Sequence, residues 1–94
     1  MMMAIWERNL PLMRERLAVL DRAVEAVETS VLSPELRAEA AGTAHKFAGS
    51  LGMYGYADGT DIARRLEQDF SGSDEINTAE LRHLTIALRE TLGL

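Results

Sequence analysis

Along the first third of the chain, apolar residues fall at Trp6, Leu10, Met13, Leu17, Leu20, Val24 and Val27, a 4-3-4-3-4-3 spacing. That spacing lines one side of a helix and predicts a long amphipathic helix over about residues 3–29. Pro11 falls inside it. A proline there removes one backbone hydrogen bond, so a bend or break is expected in the first turns.

The second segment opens at Ser33-Pro34. Serine suits the N-cap and proline the first helical position. Leu36, Ala40, Phe47, Leu51 and Tyr54 form its apolar line and Gly55 is a stop signal, which predicts a helix over about 34–54. The third helix is expected over about 59–70, with Asp58 and Asp61 at its start and Ile62, Leu66 and Phe70 facing inward. Ser71-Gly72-Ser73-Asp74 reads as a turn. The fourth helix, about 78–92, has the clearest start. Asn77 can cap, Glu80 can close a capping box, and Ile76 can staple to Leu81. Leu81, Leu84, Leu88 and Leu92 then share one face. No stretch alternates long enough for a strand. Four amphipathic helices with short loops predict an all-α fold, an antiparallel four-helix bundle forming a single domain over residues 1–94.

Composition agrees with this. Thirteen Leu and thirteen Ala against eight Val plus Ile favour helix over sheet. The absence of Cys removes disulfides, thiolate metal sites and cysteine nucleophiles. A net charge of -5 with no basic stripe argues against nucleic acid or an anionic membrane as partner. No apolar run approaches the roughly 18–20 residues of a membrane span. Met1 to Ile5 carries no basic region and Glu7 follows early, so no signal peptide is read and a cytoplasmic location is expected.

The second helix holds the informative chemistry. At about 100° per residue its apolar line lies roughly 180° to 240° from His45, so His45 points outward. Within about 60° of His45 stand only Ala38, Ala41, Gly42, Ala48, Gly49 and Gly52. A solvated helix face normally carries long polar side chains, and each interior glycine costs about 0.5–1 kcal/mol relative to alanine. A bare face around one imidazole gives another backbone close access to the ring. Small residues also let a neighbouring helix pack closely, but that would bury the His45 side of a helix whose opposite seam already supplies the core. His83, on the fourth helix beside Glu80 and Ile86, has no such surroundings and reads as an ordinary surface residue.

These residues resemble the histidine-phosphotransfer (HPt) domain family of two-component phosphorelays. The resemblance rests on Ala44-His45-Lys46-Phe47-Ala48-Gly49-Ser50 with Gly52 and Gly55, then Arg64-Arg65-Leu66-Glu67. It implies a four-helix bundle with the phosphorylated histidine, His45, exposed at mid-helix. It also implies a carrier that takes a phosphoryl group from a receiver domain's phosphoaspartate, or from a histidine kinase, and passes it to a receiver aspartate. The family usually has a basic residue three positions after the histidine, where this chain has Ala48. Lys46 is the nearest basic side chain on the same helix and is expected to stabilise the phosphoryl charge instead. A sub-group attached to receiver domains, with His-Lys-Leu-Ala-Gly-Ser-Leu-Gly, looks closer to this sequence.

If the second and third helices fold back around residues 56 and 57, residues near 67 lie level with His45. Glu67 is then a candidate to hold the unreactive ring nitrogen and fix the tautomer. A similar module of chemotaxis kinases has a glutamate at this spacing. The competing reading pairs Glu67 with Arg64 or Arg65, which are also candidate basic partners of the site. The family resemblance places Mg²⁺ on the partner receiver domain and implies no cofactor in this chain. There is no nucleotide loop, so no kinase activity of its own is expected. His45 and His83 lie on different helices without clustered acids, so no metal site is expected. The alternative function is a helical docking or dimerisation module that binds a receiver without phosphotransfer.

Overall fold

The computed structural model describes residues 2–29, 31–72 and 76–94, with side chains from residue 7 onward. The side chain of Trp6, and Ser73 and Asp74 of the expected turn, fall outside the described residues. The elements are α1 (Met2–Thr29), α2 (Pro34–Leu51), a single 3-10 turn (Gly52–Tyr54), α3 (Ala57–Ser71) and α4 (Thr78–Leu92). Each helix packs on its neighbours in sequence and α1 also packs on α4, closing a four-membered ring. Residue pairs across the seams run in opposite directions, as an antiparallel bundle requires. Asn9 Nδ2 donates to Tyr54 Oη at 3.1 Å, and Arg22 meets Glu39 at 3.4 Å farther along the α1–α2 seam. Arg82 with Glu28, and Arg89 with Asp21, do the same between α4 and α1. Residues rise about 1.5 Å each along a helix, so the 28 residues of α1 set the 42 Å long axis of the molecule.

The interior is filled by the predicted seams. Met13, Leu17, Leu20 and Val24 of α1 meet Phe47 and Leu51 of α2, Leu66 and Phe70 of α3, and Leu81, Leu88 and Leu92 of α4. Burying side chains of this size contributes about 1.5–3 kcal/mol each, which is what a 94-residue chain must rely on. Leu10 and Val27, at the ends of the α1 seam, are half-buried, as are Leu36, Tyr54, Ile62 and Leu84. Among the described residues Thr43 and Thr85 are polar and buried with the seams; Thr85 Oγ1 donates to the Leu81 carbonyl at 2.8 Å.

Helix starts follow their caps. The Ser33 side chain accepts from the Leu36 amide and the Asn77 side chain from the Glu80 amide. Ile76 is half-buried and packs on the core, and Leu81 is part of that core. Glu80, expected to close the capping box, instead reaches across to Arg65 at 2.7 Å. A guanidinium is a stronger partner for a carboxylate than a backbone amide.

Three boundaries depart from expectation. Pro11 neither breaks nor ends α1, which is helical on both sides of it. The carbonyl left without a donor belongs to Glu7, and both Glu7 and Pro11 are exposed, so water can satisfy it. α2 ends as an α-helix at Leu51 and not at 54, tightening into the 3-10 turn. This brings the Gly55 amide to Gly52 O at 3.3 Å and the Tyr56 amide to Leu51 O at 3.0 Å, with Gly55 at a φ of 83° that glycine adopts without strain. α3 begins two residues early, at Ala57, because the Thr60 amide already bonds to Tyr56 O at 3.0 Å. Gly59 follows where α3 closes on α2; a Cβ there would sit 3.0 Å from Leu51 Cδ1.

Candidate functional site

α2 turns its buried stripe of Ala40, Thr43, Ala44, Phe47 and Leu51 to the core. His45 falls opposite that stripe, and its side chain is 74% exposed. α3 runs beside α2 and shares with it the most extensive contact of any helix pair. The antiparallel register brings Glu67 level with His45, and Glu67 Oε2 lies 2.8 Å from His45 Nδ1. An ionised carboxylate can only accept a hydrogen bond, so this contact favours the tautomer with its proton on Nδ1. Nε2, the other ring nitrogen, lies away from this contact.

The competing pairing of Glu67 with the α3 arginines is not what the structure shows. Arg65 binds Glu80 at 2.7 Å and Asp69 at 3.7 Å. Arg64 is exposed, and among the described residues no carboxylate lies within 4 Å of it.

The bare face divides in two. Ala38, Gly42, Gly49 and Gly52 are exposed around the imidazole. A Cβ added at Gly42 or Gly49 would meet nothing within 4 Å, and one at Gly52 would lie 3.8 Å from Thr60 Oγ1. These positions form an open surface. Ala41 and Ala48, expected on that surface, are instead half-buried and packed against the core. On the helical wheel they lie on the flank turned to α3, where alanine lets the two backbones approach. Lys46 projects from the other flank. It is exposed and lines a groove between α1 and α2 with Glu39 and Thr43 of its own helix and Leu12, Glu15 and Arg16 of α1. His83 is exposed on α4.

Two features that sequence reasoning missed hold the α3 end of the site. Arg37 of α2 donates to the carbonyls of Phe70 at 2.7 Å and Asp69 at 3.5 Å, and also to that of Gly72. It thereby satisfies the open C-terminus of α3, just beyond Glu67. A basic residue in the first turn of one helix gives no sign of this until the antiparallel partner is placed. The second is the acidic pair Asp69 and Glu80 around Arg65. Burial pushes the Asp69 carboxyl up, its hydrogen bond and charge contact with Glu80 push the same way, and Arg65 opposes them. Asp69 Oδ2 is buried and among the described residues faces no donor. Arg65, within 4 Å of both carboxylates, offsets part of their mutual repulsion.

Among the described residues no helix is long and apolar enough to cross a membrane. The chain matches the family model of the Hpt domain over residues 4–92. It is 29% identical over 90 residues to Protein RcaC of Microchaete diplosiphon, an alignment covering 93% of this chain and 14% of that protein. The chain thus spans a small part of the relative's length. No solved structure matches it. The match covers nearly the whole bundle and both helices that carry the imidazole and its carboxylate: the chain belongs to the Hpt domain family, whose members are phosphotransfer carriers of two-component signalling and not kinases.

Proposed function

We propose that the protein is a phosphorelay carrier in which His45 Nε2 accepts a phosphoryl group from the phosphoaspartate of a receiver domain and passes it to the aspartate of another. The observation that carries this reading is the exposed imidazole on a glycine-lined face, with Nδ1 held at 2.8 Å by Glu67. In the forward step Nε2 attacks phosphorus in line. The N–P bond forms as the bond from phosphorus to the aspartyl oxygen breaks, and the aspartate leaves as a carboxylate. The Nδ1 proton stays on the ring, so the ring gains positive charge beside the Glu67 carboxylate. Return to a second receiver reverses these changes. Such transfers depend on positioning and charge compensation more than on covalent machinery. The divalent cation and the remaining catalytic groups belong to the receiver, and the exchange takes place in the cytoplasm with it. A histidine kinase is the other donor class that suits the same nitrogen.

A module that only docks a receiver has no use for a tautomer held by a carboxylate. Incubation with a phosphorylated receiver domain distinguishes the two functions. The carrier should gain an acid-labile, base-stable label, and His45→Gln should lose it while keeping its helical circular dichroism. Label on His83, or label that survives in His45→Gln, overturns the reading.

A further inference from the structure

The face around the imidazole has no cation on its own helix where the phosphoryl group would stand. Ala48, one turn past His45, is half-buried against the core, and Lys46 lies on the flank of α2 that borders α1. The α3 flank is different. Thr60, Arg64 and Glu67 occur at i, i+4 and i+7 and form one stripe along α3. Both ends of that stripe meet the bare face of α2. Thr60 Oγ1 comes within 3.8 Å of the Cβ position of Gly52, and Glu67 Oε2 within 2.8 Å of His45 Nδ1. Arg64 sits between these ends, so the register sets it level with Ala48 and Gly49. It is one turn from Glu67, about 4.5 Å along the helix axis. Ala48 and Gly49 put no long side chain in its way. Its neighbour Arg65 is committed to Glu80 and Asp69, whereas Arg64 has no carboxylate within 4 Å among the described residues.

We propose that Arg64, reaching from α3, is the cation that pairs with the phosphoryl group on His45. This rests on His45 being the phosphoacceptor. The guanidinium presents several N–H donors in a planar fork that matches phosphoryl oxygens, and it stays charged at every relevant pH. An incoming receiver would close over the pair and strengthen it by excluding water. The charge that the family pattern places on the helix of the histidine is supplied here from the neighbouring helix.

The test loads His45 with a small phosphoramidate donor, so that no receiver is needed, and follows the phosphohistidine by ³¹P NMR as pH is varied. In Arg64→Ala the midpoint of the phosphoryl titration should rise by roughly 0.3–0.5 unit, the size of an exposed ion pair lost. Arg64→Lys should recover most of the shift, and Lys46→Ala should move it less. Transfer to a receiver should slow about 3–5-fold in Arg64→Ala. A packing role for Arg64 would leave the ³¹P midpoint in place. An unchanged midpoint in Arg64→Ala overturns the proposal even if transfer slows. A wild-type protein that takes no label on His45 fails at an earlier point: it removes the carrier reading itself, and the Arg64 assignment with it.

Discussion

Glu67 Oε2 and His45 Nδ1 face each other at 2.8 Å across the α2–α3 seam, although 22 residues separate them in sequence. In the carrier role proposed above, this contact would leave Nε2 as the nucleophilic nitrogen and would place a negative charge where the ring becomes positive during transfer. Glu67→Gln keeps the size and removes the charge. Phosphotransfer should fall about 10-fold, the lower end of the loss when the carboxylate partner of a functional histidine is removed. Ring ¹⁵N shifts should move from mostly Nδ1-protonated towards a mixture of tautomers. Unchanged ring shifts together with unchanged rates would detach Glu67 from the site.

Gly49 follows His45 by one turn, and a Cβ built there meets nothing. Gly49→Gln should therefore fit the isolated protein and stabilise it by about 0.5–1 kcal/mol, as a better helix former does at an unstrained position. The same side chain stands beside the imidazole and should sharply reduce transfer from a receiver. Thermal melting and a transfer assay on this one variant check both halves. A lowered melting temperature would mean that the face is packed and not open.

Arg37 carries the carbonyls at the end of α3. Arg37→Ala should destabilise the domain by about 1.5–3 kcal/mol, the usual contribution of hydrogen bonds to a charged group. Amide hydrogen exchange should rise first in the last turn of α3. A uniform rise in exchange across all four helices, with no local excess, would contradict this placement.

Asp69 makes stability depend on pH in an identifiable direction. Its carboxyl is held above the ordinary 3.8 by burial and by Glu80. The fold thus favours the protonated form. Its contribution is complete below about 3.8 and is lost as pH rises through the raised value. Glu28, lowered by its hydrogen bond to Arg82, acts in the opposite sense but is common to wild type and variant. Asp69→Asn should accordingly gain stability relative to wild type between pH 4 and pH 7, measured by urea unfolding at each pH. A difference that stays flat over that range would contradict a raised Asp69 carboxyl.

The helices and the outward direction of His45 were legible in the chain itself. The spacing of Met13, Leu17, Leu20 and Val24, the Ser33-Pro34 start and the Asn77 cap are local signals, and local signals fix which side of a helix is apolar. Folding back at residues 56 and 57 also brought Glu67 level with His45, since both helices advance by the same rise per residue. What periodicity leaves undetermined is the direction in which each neighbour lies around the helix axis. Packing against α1 on one flank and α3 on the other set Ala41 and Ala48 into a seam, turned Lys46 towards the α1 groove, and left Arg64 exposed on α3. Competition among partners was equally invisible: Glu80 could cap its own helix or bind Arg65, and only the approach of α3 to α4 decided for the guanidinium. Pro11 shows the same limit from the other side: its place in the sequence predicted a break, and its exposed place on α1 is where a missing hydrogen bond is tolerated.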